Sequence, residues 1–219
     1  MQYSIYMIRH GETWYNRYKK MQGWSDTPLT PAGEKVAQLA AQKLAAVPFD
    51  LAFASDARRA VNTCQIICDA NINRQQLSMQ TLTAFRECFY GYFEGMNCEE
   101  AWYLVLGPHG FSKISEAGTK FSLDQSKDWM KAADPFHDAE NAQEYWQRID
   151  AGFQYLDQVA HDNAQILLIT HGNTIKSIAN KYGDGSFVAR TSPDNSSLTK
   201  VIRRDGQTLV TTYGQSLID

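Results

Sequence analysis

Between residues 141 and 182 a helical pattern, a short apolar run and a second helical pattern follow one another. Ala142, Tyr145, Trp146, Ile149, Phe153, Leu156 and Val159 recur at the spacing of one helix face over about Asn141–Ala160. Ile166-Leu167-Leu168-Ile169 follows with no polar residue to mark a solvated face, and a further helix is predicted from about Thr174 to Tyr182. A strand that is apolar on both faces must be covered on both, so it belongs inside a sheet flanked by helices. The same alternation recurs upstream. Tyr3–Ile8 reads as a buried strand, and Thr30-Pro31 opens a helix whose apolar face is Val36, Leu39, Ala40, Leu44 and Val47. Leu51–Ala54 reads as a second strand, followed by a helix over Ala57–Cys68, and Met79–Leu82 as a short third strand. Strands near Leu198–Arg203 and Leu209–Tyr213 flank Asp205-Gly206, a hairpin turn pair. The predicted fold class is α/β, a three-layer α/β/α sandwich with a mainly parallel central sheet. No repeat or linker divides the chain, so residues 1–219 read as a single domain, with an irregular, partly helical lid insertion at about 96–139.

Composition removes several classes of function. Lys and Arg total 21 against 24 Asp and Glu, a formal net charge of -3, so no basic footprint points to nucleic acid or an anionic membrane surface. No apolar run reaches the roughly 18–20 residues needed to cross a bilayer. The first residues lack a basic segment and read as a strand rather than a secretion signal. Cys64, Cys68, Cys88 and Cys98 form no CxxC pair and have no nearby histidine at zinc spacing, so reduced, mostly buried thiols in a cytoplasmic protein are expected.

In open α/β sheets the ligand site lies beyond the carboxyl ends of the strands. Here three predicted strands end in related chemistry: Arg9-His10-Gly11-Glu12, Ser55-Asp56-Ala57-Arg58-Arg59 and Thr170-His171-Gly172-Asn173. Two imidazoles and at least two guanidiniums therefore converge on one crevice in a slightly acidic protein. Guanidinium groups bind phosphate oxygens bidentately, and a neutral imidazole among them can attack phosphorus and carry the phosphoryl group.

Arg9-His10-Gly11-Glu12-Thr13 resembles the signature of the histidine phosphatase superfamily, the phosphoglycerate mutase-like proteins. Asn16, Gln22-Gly23, Asp26-Thr27-Pro28-Leu29-Thr30 and Gly33 follow in the order of that family. Ser55-Asp56-x-x-Arg59-Ala60-x-x-Thr63 resembles its second phosphate-binding segment, and Glu87 with Gly91 and Glu94-Gly95 its acid/base segment. Thr170-His171-Gly172 resembles its second histidine, and Asn195-Ser196-Ser197-Leu198-Thr199 its late strand entry. Asn62 stands where the family often has Gln, and Asn173 where a second Gly is frequent.

The resemblance implies a nucleophilic His10 that forms phosphohistidine. Arg9, Arg59 and His171 would clamp the phosphoryl oxygens, and Asn16, Gln22, Gly23 and Gly172 would line the substrate site. Glu87 would act as general acid and then general base. It implies no metal and no cofactor, since guanidinium and imidazole supply the positive charge. The expected partner is a small phosphorylated substrate, and nothing in the sequence bears on oligomeric state.

Neighbouring residues compete for several of these roles. Arg58 and Arg59 are adjacent, so only one can face the crevice, and family spacing selects Arg59. Glu12, Glu94 and Glu140 also lie near family motifs, with Glu12 better suited to holding the His10 loop. His109, His137 and His161 read as loop or solvated histidines, His161 at the end of its helix, and Lys19-Lys20 as a solvated pair. Residues 96–140 contain no Arg, four Lys and eight Asp and Glu, together with Trp102, Tyr103, Phe111, Phe121, Trp129 and Phe136. An acidic, aromatic lid suits a small trianion poorly, which favours hydrolysis of a phosphomonoester. Phosphoglycerate mutase-type transfer is the alternative, and a non-catalytic phospho-ligand binding protein is a third.

Overall fold

In the computed structural model, which describes residues 1–116 and 120–218, the apolar run at Ile166–Ile169 lies at the centre of a six-stranded sheet. In chain order the elements are β1 (Gln2–Arg9), α1 (Trp14–Arg17), α2 (Pro31–Leu44), β2 (Leu51–Ala54), α3 (Arg58–Ala70) and β3 (Met79–Thr81). Then come α4 (Cys98–Leu106), α5 (Leu123–Ala133), α6 (Ala142–Val159), β4 (Gln165–Thr170), α7 (Gly172–Tyr182), β5 (Leu198–Arg204) and β6 (Gln207–Gln215). The strand order is β3-β2-β4-β1-β5-β6. β1, β2, β3 and β4 run parallel, and the β5–β6 hairpin extends the sheet antiparallel from β1. Four parallel strands with an antiparallel hairpin at one edge, in which only β5 runs against the rest, make the mainly parallel sheet that the alternating pattern predicts.

Strand β4 shows why the sheet needs two covers. Ile166 and Leu168 join a core with Ile5, Met7, Phe53 and Val201, capped by Tyr145, Ile149 and Phe153 of α6 and Ile175 and Ile178 of α7. Leu167 and Ile169 point the other way, into Ile8, Ala52 and Ala54, with Ala41 and Leu44 of α2 and Ala60, Cys64 and Ile67 of α3. Successive side chains of a strand face opposite ways, so this run fills both cores at once. Each of these large side chains contributes roughly 1.5–3 kcal/mol by leaving water.

Local rules set the helix starts. The Thr30 side chain accepts from Gly33 N at 3.0 Å, Pro31 occupies the first turn, and Asn141 caps α6 in a reciprocal box with Glu144. Helix α7 begins at Gly172, two residues earlier than its apolar periodicity indicates. His171 is extended and enters the helix without a side-chain cap, so no sequence signal marks the boundary. Between Gly95 and Glu140 the described chain forms α4, α5 and short 3-10 turns, with residues 117–119 of the expected lid outside the described residues. His161 lies beyond the C-cap of α6, where its Nε2 is 3.6 Å from Asp50 Oδ1. The four cysteines are free thiols, with Cys64, Cys68 and Cys88 buried. Among the described residues no helix is long and apolar enough to cross a membrane.

Candidate active site

Parallel pairing of β1 with β4 places Arg9 beside Thr170, so His10 and His171 leave the sheet side by side with ring centroids 5.2 Å apart. The loop behind His10 is fixed by close backbone approach. A Cβ on Gly33 would lie 2.2 Å from Glu12 O, so only glycine lets α2 meet this loop. Glu12 Oε1 accepts from Thr30 Oγ1 at 2.6 Å, Gly11 N donates to Thr63 Oγ1 at 3.0 Å, and Asn195 Nδ2 donates to His10 O at 2.8 Å.

Between the two imidazoles lies the guanidinium of Arg59, delivered by the first turn of α3 and fully buried. Its Nε donates to His10 Nε2 at 3.3 Å, and its Nη2 to His171 Nδ1 at 3.0 Å and Gly23 O at 2.7 Å. Nη1 donates to Ser25 O and Asp26 Oδ1, both at 2.9 Å. Arg58, by contrast, is exposed, and its backbone N–H holds Asp26.

A guanidinium only donates, so both ring nitrogens that face it carry lone pairs. The protons then reside on the far nitrogens: His10 Nδ1 donates to Gly11 O at 2.7 Å, and His171 Nε2 donates to Ser55 Oγ at 2.6 Å. Burial, followed by the charge of Arg59, pushes both imidazoles well below the usual histidine range. His10 is therefore a neutral base with Nε2 turned into the site.

Arg9 donates from Nη1 to Pro193 O at 2.7 Å, while its buried Nε has no partner among the described residues. Burial lowers its pKa. A Cβ on Gly172 would fall 3.1 Å from that Nε, so glycine at the start of α7 leaves the guanidinium room.

Glu87 is buried and accepts at Oε2 from Asn173 N at 2.8 Å and at Oε1 from Cys88 N at 3.0 Å. The Thr174 hydroxyl lies between Glu87 Oε1, at 3.1 Å, and Arg86 O, at 2.9 Å. It has one hydrogen and free lone pairs, so it can donate to the carboxylate, or donate to Arg86 O and accept a proton held by Glu87. Both charge states of Glu87 thus keep a hydrogen-bonded partner.

The other carboxylates near the motifs are structural. Glu140 forms a two-pronged ion pair with Arg148 at 2.6 and 2.7 Å. Glu94 gathers Trp24 N and Tyr90 N on one oxygen and Gly23 N, Ser25 N and Ser25 Oγ on the other. Gln22 is also a wall residue: its Oε1 accepts from Thr13 Oγ1 at 2.6 Å and its Nε2 donates to Thr27 Oγ1 at 3.1 Å. Asn16 Oδ1 takes Thr13 N and Asn195 Nδ2.

Sequence reasoning did not assign the roles of Ser55, Glu94, Asn195, Trp24 and Arg86. Ser55 and Asn195 sit inside quoted motifs, so position alone could have raised them. Trp24 and Arg86 carry no such mark. Arg86 lies 4.4 Å over the Trp24 ring and pairs with Asp56, while Trp24 stacks on Phe89 with centroids 4.8 Å apart. They border a cavity of about 250 Å³ reaching His171, Gly23 and Asp56. A second cavity of about 260 Å³ opens beside Asn173 and Tyr90. A larger one, about 600 Å³, runs over α4 between Trp102, Tyr103 and Ile114, with neither His10 nor His171 in its lining. His109 stacks on Trp129 with centroids 4.0 Å apart, within the 96–139 segment.

Two neutral imidazoles, the buried guanidinium of Arg59, the half-buried one of Arg9 and a buried carboxyl group beyond the ends of parallel strands suit an enzyme that handles phosphoryl groups. The chain belongs to the histidine phosphatase superfamily (branch 1), whose family model matches residues 5–106 and 107–216. A 2,3-bisphosphoglycerate-dependent phosphoglycerate mutase of Cytophaga hutchinsonii is 27% identical over 176 residues, 80% of this chain and 74% of that protein. The crystal structure of phosphoglycerate mutase from Bacillus anthracis is 29% identical, with a TM-score of 0.90 covering 99% of this chain and 95% of that one. A mycobacterial glucosyl-3-phosphoglycerate phosphatase shares the fold at 21% identity, with a TM-score of 0.72 over 99% of this chain and 100% of that one.

Proposed function

We propose that this chain is a metal-independent phosphatase that hydrolyses a phosphomonoester through phosphohistidine on His10. The observation that carries the chemistry is the lone pair of His10 Nε2, held neutral beside the buried Arg59. His10 Nε2 attacks phosphorus in line and the ester P–O bond breaks. Glu87 gives its proton to the departing oxygen, then takes one from the water that attacks the phosphohistidine. Arg9, Arg59 and His171 bear the charge of the transferring group, with Asn16, Gln22, Gly23 and Gly172 shaping its surroundings. The phosphoryl oxygens would take over the Arg59 hydrogens that the imidazoles accept. We read the chain as one domain with 96–139 as its lid, and as a cytoplasmic protein acting on a small molecule.

Hydrolysis is favoured over transfer by where the lid lysines go. Lys120 pairs with Glu116, Lys127 with Asp124, and Lys131 with Glu144. A lid with three of its four lysines already held by carboxylates is poorly equipped to hold a bisphosphorylated intermediate. The mutase reading draws its support from the phosphoglycerate mutases among the relatives. With 3-phosphoglycerate, inorganic phosphate formed faster than the 2-phospho isomer supports the phosphatase, and the reverse supports the mutase. Glu87→Gln tests the acid: phosphoenzyme formation from an alkyl phosphate should slow far more than from p-nitrophenyl phosphate, whose leaving group departs without a proton. Equal losses would remove Glu87 from that role.

A further inference from the structure

The segment that carries Glu87 has no regular structure of its own. Residues 86–90 lie between two 3-10 turns, Thr83–Phe85 and Gly91–Phe93, and belong to no strand or helix. Their backbone groups must therefore find partners elsewhere in the molecule. Three carbonyls in and just before this stretch meet one side chain. Arg148 of α6 donates from Nη1 to Ala84 O at 2.7 Å and Arg86 O at 2.9 Å, and from Nη2 to Glu87 O at 3.0 Å. Its other two hydrogens go to Glu140, Nε to Oε1 at 2.6 Å and Nη2 to Oε2 at 2.7 Å. A guanidinium has five N–H donors in a rigid plane, and here all are engaged. Arg148 thus has no N–H to offer a phosphoryl oxygen, and it acts on the backbone of the acid segment instead.

Glu140 extends the grip past Glu87. Its N–H donates to Phe89 O at 2.9 Å, and its Oε2 accepts from Phe89 N at 3.4 Å. The ion pair therefore holds the chain on both sides of the acid, at residues 84, 86, 87 and 89. Packing fixes the pair in turn. The Arg148 guanidinium lies 4.9 Å over the ring of the buried Tyr145, one turn earlier on α6. A Cβ on Gly152, one turn later, would fall 2.8 Å from Ala84 Cβ and 2.9 Å from the Phe85 ring, so α6 presses on the same segment.

We propose that Arg148, oriented by Glu140, is a positioning residue for Glu87, fixing the backbone from which the carboxyl reaches the departing oxygen. This rests on the reading of Glu87 as the general acid. Proton transfer requires hydrogen-bond reach, and a misplacement of about 1 Å can cost on the order of 10²-fold in rate. Asn173 supplies a reporter that does not depend on turnover. Its N–H lies in the first turn of α7, where the helix offers no acceptor, and it donates to Glu87 Oε2 at 2.8 Å.

The test measures phosphoenzyme formation from an alkyl phosphate and from p-nitrophenyl phosphate in the wild type, Arg148→Met, Glu87→Gln and the double variant. Arg148→Met should slow the alkyl ester by about 30-fold or more and p-nitrophenyl phosphate by less than about threefold. In the Glu87→Gln background that alkyl-specific loss should vanish, because no acid remains to be misplaced. A merely structural role would slow both esters alike, or add the same alkyl-specific loss on top of Glu87→Gln, and either result overturns the proposal. Should Arg148→Met fail to fold, Arg148→Lys, which keeps the charge but has only three donors, is judged by the same ratio. If Glu87→Gln itself slows both esters equally, the acid reading fails separately. Positioning is then judged by amide hydrogen exchange at Asn173. Exchange about tenfold faster in the Arg148 variant, with the β4 amides unchanged, supports it, and unaltered exchange at Asn173 overturns it.

Discussion

Glu94→Gln separates a structural carboxylate from a catalytic one. Glu94 accepts from four backbone N–H groups, those of Gly23, Trp24, Ser25 and Tyr90, and from the Ser25 hydroxyl. Every lone-pair direction is met by a donor, so the group has no free edge to offer a substrate. In glutamine one oxygen becomes an NH2. Whichever way the amide turns, two backbone N–H groups then face a donor: Trp24 and Tyr90, or Gly23 and Ser25. Each orphaned donor costs about 1–3 kcal/mol where water is excluded. Gly23 and Tyr90 are buried, whereas Trp24 is 43% exposed and Ser25 partly so, and water repairs that half of the damage. The net expectation is a loss of about 2–3 kcal/mol, or a fall in Tm of roughly 4–12 °C for a domain of this size. Urea melts should show a lower midpoint with an unchanged slope. Phosphatase turnover per folded molecule should fall far less than in Glu87→Gln. An unchanged Tm with turnover abolished would refute this reasoning and make Glu94 the acid.

Brief incubation with a labelled phosphate ester should leave an acid-labile, alkali-stable adduct on His10, with turnover lost by orders of magnitude in His10→Ala and little changed in His109→Ala; label on Ser, Cys or Asp would remove the mechanism. Ser55→Ala strips the acceptor from His171 Nε2, so stability should drop by about 1–3 kcal/mol and the ring should lose its single tautomer. Nitrogen NMR of the imidazole checks this, an unchanged tautomer counting against the assignment. Stability should also fall with acid. The unfolded chain protonates His10 and His171 below the ordinary histidine value of 6.5, whereas the folded protein holds both pKa values well below it. The unfolded state then binds more protons, and each histidine removes up to about 1.4 kcal/mol per pH unit below that value. The slope of Tm between pH 7 and 5 should be shallower in His10→Asn and His171→Asn, and equal slopes would contradict the buried neutral imidazoles.

Much of the fold was legible because apolar periodicity is itself the force that builds it. Ile166–Ile169 could be placed at the sheet centre because no single face of it is polar. The boundary at Gly172 was missed because His171 enters α7 through an extended backbone that no residue type announces. Within the site, residues that follow directly on strands were visible, since the chain order of an α/β sheet carries them to one edge. The choice between Arg58 and Arg59 was not visible in the residues alone. It depends on which side of α3 meets β4, and there Arg59 is buried while Arg58 is exposed. The Glu94 cradle and the Ser55–His171 bond were hidden for another reason. Each depends on what a side chain reaches across tens of residues, and spacing along the chain does not encode reach.

The closed arrangement around Arg59 also explains how one set of charges serves two histidines with different tasks. Burial, and after it the charges of Arg59 and Arg9, hold His10 neutral, which in the proposed reaction keeps its Nε2 lone pair available as a nucleophile. Burial, followed by the charge of Arg59, also holds His171 neutral, with its Nδ1 accepting from Arg59. A phosphomonoester dianion reverses that balance: it offsets the charge of Arg59 and Arg9 and accepts the hydrogens they had given to the rings. With its principal opposing charge neutralised, His171 can take up a proton on Nδ1 and donate it to a phosphoryl oxygen, while Ser55 keeps the Nε2 proton engaged. His10 has no such outlet, because its Nε2 is the atom that bonds to phosphorus and its Nδ1 proton is held by Gly11 O. In the proposed reaction, anion binding would convert two like imidazoles into a nucleophile and a cationic clamp, and the difference lies in which ring nitrogen the backbone or Ser55 already holds.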